Sequence, residues 1–204
     1  ASLRDNVVSN AAQIGYLPTS ARSAYALIDF TFTLLPEDYP YGFPEYLEII
    51  PGMAFTTNGG NGNLVFNILD IANAPVGSDG KATFTNVKIF EGTYLPAQFT
   101  QNDADFNQRF ILENANIDST TIRVEVHENP NEDINYTYTE ANNLVEISEL
   151  SRVYWLTEVD SAFYQLTFGD GYFGRALQDG AKIYVNYVVT NGVLGNGVRG
   201  IDTF

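Results

Sequence analysis

A mainly β (α+β) fold is predicted for this chain by three observations. Hydrophobic residues recur with a period of two, glycine- and asparagine-rich turns separate those runs, and strand-favouring aromatics are abundant. The 204 residues include 13 Tyr and 14 Phe, and 45% are hydrophobic. The expected order is a short N-terminal helix followed by two small antiparallel β modules. The helical segment is 1–23, the first module 24–92, the second 93–192, and 193–204 a return segment.

Residues 2–16 read as the helix. Ser2 or Asp5 can cap it, Leu3, Val7, Ala11 and Ile14 fall near one face, and Gly15 and Pro18 end it. A helix this short is marginal alone, so its apolar face is expected to pack on something, a partner chain included. From Tyr25 the period becomes two. Ile28, Phe30, Phe32 and Leu34 alternate with Asp29, Thr31 and Thr33, as in a half-buried strand. A proline-rich loop over 36–44 follows, then a strand at Tyr46–Ile50 that ends at Pro51-Gly52. The runs 54–57 and 64–69 flank Asn58-Gly59-Gly60-Asn61-Gly62-Asn63, a strong hairpin signal. Residues 82–92 are another alternating strand, and 92–108 read as a polar linker between the modules.

In the second module Ile122–Glu128 alternates most clearly. A loop over 129–133, a strand at 134–139, a polar helix-or-loop stretch at 140–150 and three closing strands through Thr190 complete it. The apolar tail Ile201–Phe204 raises a nested arrangement, in which the tail returns to the first module and the second is an insertion. The chain begins Ala1-Ser2 without an initiator Met, which fits a segment of a longer protein.

The formal charge of −15 and pI near 4.1 disfavour nucleic acid and anionic membrane surfaces, since phosphate binding needs clustered Lys and Arg. The acidity suits solubility, or a docking face for a basic partner. No run of 18 apolar residues exists to span a membrane. With no Cys, neither disulfides nor thiolate chemistry are available.

No catalytic, metal or cofactor site is expected. The single histidine, His127, lies on a strand beside Glu125 and reads as solvent-facing, with no nucleophile placed for a triad. One His and no Cys do not make a zinc site. Asp103-Ala104-Asp105 and Asn131-Glu132-Asp133 concentrate oxygen ligands, but neither fits a calcium loop, and both read as solvated acidic loops. Glu158 with Asp160, like Glu146 with Glu149, offers paired carboxylates; on a strand the first pair reads as a wet face. Trp155, Tyr154, Tyr164, Tyr172, Tyr184 and Tyr187 could serve a carbohydrate-binding β module, although core and edge packing is the better reading of such aromatics.

The most informative stretch runs from Phe168 to Gly180. Gly169-x-Gly171-x-x-Gly174 has the spacing of a dinucleotide-binding loop, which needs a helix directly after the glycines. Only Arg175-Ala176-Leu177-Gln178 precedes the next turn at Asp179-Gly180, so the stretch reads as a glycine-punctuated β connection. Phe168, Gly169, Asp170, Gly171, Phe173, Gly174 and Gly180 form this structural turn motif, with the glycines in a backbone role.

This motif, followed by Val185-Asn186-Tyr187 and Thr190-Asn191-Gly192, resembles the baseplate-J-like wedge proteins of contractile phage tails, including the T4-type wedge subunit. Ile50-Pro51-Gly52 before Phe55, the run 109–124, and Val153–Asp160 are similar as well. The resemblance extends over about residues 25–198 and leaves the first 25 residues unaligned. It implies a virion protein of the tail baseplate, assembled in the host cytoplasm. Its partners would be copies of itself and neighbouring wedge subunits, and it would have no catalytic residues and no cofactor. The sequence assigns no interface residue.

Overall fold

The computed structural model describes residues 20–59, 62–129, 131–141, 146–159 and 162–195. The helix expected at 2–16 and the end of the tail lie outside these residues. The described chain is mainly β. It divides into two compact units, one discontinuous in sequence: Ser23–Tyr94 with the segment beginning at Thr190 forms the first, and Leu95–Val189 with residues 20–22 the second.

The first unit contains β1 (Tyr25–Thr33), β2 (Tyr46–Ile49), β3 (Ala54–Gly59), β4 (Gly62–Ile68), β5 (Ala72–Pro75) and β6 (Lys81–Glu91). A four-stranded antiparallel sheet has the order β1-β6-β4-β3, and β2 pairs with β5 separately. The hairpin predicted across 54–69 forms, with Phe55 opposite Phe66 and Gly59 opposite Gly62. Phe30, Phe55 and Phe84 pack ring to ring beside buried Ile49, Phe66, Ile68 and Ile89. Burying such side chains contributes about 1.5–3 kcal/mol each.

One register change keeps this face apolar. Ile28 pairs with Val87 and Phe30 with Phe84, so Asp29 faces two residues. The extra residue, Asn86, adopts φ 54°, and its N–H donates to the Asp29 carboxylate at 2.7 Å. The bulge returns Phe84 and Val87, three apart in sequence, to the same buried side.

The second unit contains β7 (Thr93–Thr100, which enters it at Leu95), β8 (Phe110–Leu112), β9 (Arg123–His127), β10 (Asn135–Glu140), β11 (Val153–Val159), β12 (Phe163–Phe168) and β13 (Lys182–Val189). They form one sheet in the order β7-β13-β9-β10-β11-β12-β8. Its core holds Val124, Val126, Ile183 and Val185, each 0% exposed. The two edge strands approach each other. Phe99 and Phe110 meet edge to face with centroids 5.6 Å apart. The Gln108 amide donates to the Thr100 carbonyl at 2.7 Å and accepts from the Asn102 N–H at 2.9 Å. The sheet thus curls toward closure, which protects its edges.

Two expectations need correction here. The supposed linker 92–108 contains β7, whose Leu95, Ala97 and Phe99 pack on the core while Pro96, Gln98 and Thr100 face out. The second module is also not wholly antiparallel, because β10 runs parallel to β11, with Thr139 opposite Val153. A connection of a dozen residues lies between them, long enough for the crossover that a parallel pair requires.

Candidate functional site

The glycine-rich connection after β12 is built as a rigid, exposed turn. Phe168 fixes its start, packing against Phe110 and Tyr138 with centroids 5.7 Å away in each case. Gly169 then lies so close to Gly174 that a Cβ built on it would be 2.1 Å from the Gly174 carbonyl carbon. No side chain fits at Gly169. Gly171 has φ +88°, in the region L residues avoid, and its N–H donates to the Gly174 carbonyl at 3.1 Å. One carboxylate oxygen of Asp170 accepts from the N–H groups of Phe173 at 2.8 Å and Tyr172 at 2.9 Å. Those two bonds hold the Asp170 carboxyl below its ordinary range. No helix follows Gly174; Ala176 bridges back to Gly169, and Gly180 donates to the Gln101 carbonyl at 2.9 Å. The arrangement contains none of the geometry that a dinucleotide needs.

A buried carboxylate ties this turn to the sheet. Glu128, 6% exposed, accepts from Arg152 Nε at 2.7 Å, from the Tyr138 hydroxyl at 2.8 Å and from Arg175 Nε at 3.1 Å. Burial pushes the Glu128 carboxyl up, but the hydrogen bonds from Arg152 and Tyr138, with the charges of Arg152 and Arg175, outweigh it and hold the group below its ordinary value. Burial first, and then the Glu128 carboxylate, push the Tyr138 phenol well above its ordinary value. Arg152 also lies 3.7 Å from the centroid of the Tyr136 ring. The backbone adds two bonds: Gly174 N–H to the Ser148 carbonyl at 3.1 Å and Arg175 N–H to the Ser151 carbonyl at 2.8 Å.

What the turn presents is apolar. Tyr172 is 82% exposed, Phe173 58%, and Leu150, on the segment bonded to the turn, 67%. Sequence reasoning found the turn but missed its anchor. Glu128, Arg152 and Arg175 lie on three separate segments, and nothing in their local patterns joins them.

The other sequence candidates disperse. His127 is half-buried rather than solvent-facing, opposite Lys182 and Asn135, and its Nε2 has no hydrogen-bond partner among the described residues. Glu158 does not lie on a wet face: it is 7% exposed, on the inward side of β11 with Tyr154 and Leu156. Asp160 lies outside the described residues. Of the six aromatics considered for sugar stacking, Tyr154, Tyr164 and Tyr187 are each 3% exposed and belong to the core. The acidic loops serve as turns. Asp105 accepts from the Asn107 N–H, Asp103 from the Gln101 amide, and Asn129 from the Asn131 N–H. No group of three metal-ligating side chains occurs among the described residues, and no helix there is long and apolar enough to cross a membrane.

Comparison with known proteins finds no family model that matches the chain and no curated protein that matches it.

Proposed function

We propose that this chain is a structural component of the baseplate wedge of a contractile phage tail. It acts through contacts with other copies of itself and with neighbouring wedge subunits, holding a ring around the tail tube that rearranges when the sheath contracts. The observation that carries the reading is the aromatic tip of the glycine turn. Tyr172 and Phe173 stand exposed on a backbone fixed by Asp170, Gly174 and Arg175. Aromatic side chains held in place before binding lose little entropy on association and dominate interface energetics. The sequence resemblance supplies the kind of assembly; the tip supplies a contact element.

One finer feature belongs to the same reading. The module beginning near residue 93 is an insertion in the first, a reading supported by the grouping of Thr190 onward with Ser23–Tyr94.

Quantitative mass spectrometry of tail particles purified from the source tests the proposal. A fixed whole-number copy number in intact particles is expected, as closed symmetry demands. The Tyr172→Ser, Phe173→Ser double variant should fold with an unchanged melting temperature and fail to incorporate. Absence of the protein from intact particles overturns the proposal.

A further inference from the structure

The outer face of the second unit carries an open groove of about 400 Å³, within the roughly 300–1,000 Å³ typical of small-ligand sites. Four neighbouring strands line it: Pro96, Ala97 and Gln98 from β7, Tyr184 and Asn186 from β13, Glu125 from β9 and Asn135 from β10. The register explains the convergence, because Glu125 lies directly opposite Tyr184, and Asn186 stands two residues further along the same face.

The chemistry of the lining is specific in what it omits. Its lining contains no Lys or Arg, although Arg123 stands opposite Asn186, and Lys182 opposite His127, at its margin on the same face. With a single carboxylate and no His or Cys, it makes neither a metal site nor a pair of catalytic carboxylates. Five of its seven lining residues carry polar side chains, and Pro96, Ala97 and the Tyr184 ring supply apolar surface beside them. What it offers is three amides, a carboxylate and a phenol around a tyrosine ring and a proline.

These polar groups are also uncommitted. Among the described residues, no hydrogen bond or ion pair within the protein engages the side chains of Gln98, Glu125, Asn135, Tyr184 or Asn186. Amides elsewhere are used internally: Asn67 bonds the Gly92 carbonyl, Asn114 the Tyr187 hydroxyl, Gln108 the Thr100 carbonyl and Asn191 the Glu91 carboxylate. Free amides and a carboxylate beside an aromatic ring match a ligand with adjacent hydroxyls, each both donor and acceptor, and an apolar C–H face.

We propose that this groove binds a neutral saccharide. One or two sugar rings would lie across Tyr184 and Pro96, with hydroxyls bonded to Gln98, Glu125, Asn135 and Asn186. The site is distinct from the aromatic turn, and the proposal does not depend on the assembly function.

The test is a nitrogen-15 NMR titration of the whole chain with maltohexaose, cellohexaose, chitohexaose and a mannohexaose, each separately. The groove is open and polar, so a Kd on the order of 1 mM is expected for the preferred sugar. The side-chain amide signals of Gln98, Asn135 and Asn186 should move. Tyr184→Ala should weaken the response roughly tenfold or more. Gln98→Ala, at an exposed position on an edge strand, serves as a second variant if Tyr184→Ala folds poorly; Phe173→Ala should change nothing. No shift with any of the four sugars at about 10 mM, well above the expected Kd, overturns the proposal. So do shifts that both groove variants leave intact.

Discussion

Replacing Glu128 with Gln keeps the side chain's shape and removes its charge. Glu128 accepts from Arg152 at 2.7 and 3.3 Å, from Tyr138 at 2.8 Å and from Arg175 at 3.1 Å. Hydrogen bonds to a charged group each contribute about 1.5–3 kcal/mol. Two effects reduce their sum. The Arg152 and Arg175 side chains are 34% and 33% exposed, so water rehydrates them when the charge is lost. The amide oxygen of Gln also still accepts one bond. A net loss of about 2 kcal/mol remains, or roughly 4–8 °C in melting temperature. Urea unfolding at a series of pH values is the assay. The Glu128 carboxyl is held below its ordinary value of 4.5 in the folded protein, so the unfolded chain takes up the proton first as acid is added. The stabilisation is therefore complete above the ordinary value and disappears as pH falls through the depressed folded value. The gap between native and variant proteins should be widest near neutral pH and close in strong acid. Equal midpoints at neutral pH, or a gap that widens in acid, would refute the reasoning.

Gly169→Ala places a Cβ against the Gly174 backbone and should cost about 3 kcal/mol or more. Gly42→Ala, with φ +103° and nothing within 4 Å, carries only backbone strain, about 1–2 kcal/mol; equal urea midpoints for the two variants would show that the close approach is unimportant. Gly171→Val, at φ +88°, should also lower the melting temperature, and an unchanged value would exclude a backbone role for that glycine. Burial, and then the charge of Glu140, push the Tyr154 phenol from 10.0 up to about 12. Its unfolded form ionises first, so stability is intact below pH 10.0 and lost as pH rises towards about 12. Ultraviolet absorbance should then show a late tyrosine that Tyr154→Phe removes; a variant with an unaltered titration curve would disprove the assignment.

The strands were legible where one face is apolar and the other polar. Phe30 and Phe32 against Asp29 and Thr31 identify β1, and the glycine–asparagine run identifies the β3–β4 hairpin. β7 escaped because Pro96 and Gln98 gave its outer face a loop-like composition, although Leu95, Ala97 and Phe99 kept the period. Glu158 misled for the opposite reason: its position in the alternation points inward, and the charge suggested water. The turn was legible because glycine spacing is local. Its Glu128 anchor and the Tyr184 groove were not, since each gathers residues from strands that only the sheet order places side by side.

Glu91 ends β6 with 0% exposure, and its carboxylate accepts from Thr190 Oγ1 and Asn191 Nδ2, both at 2.7 Å. Those partners follow Glu91 by 99 and 100 residues. On the ribosome, at roughly 5–20 residues per second, they emerge on the order of 5–20 s after the strand that needs them. Throughout that interval β6 cannot bury its last side chain without leaving a carboxylate unpartnered. The first unit is thus begun first and completed last, and the whole of Leu95–Val189 is available to fold while it waits.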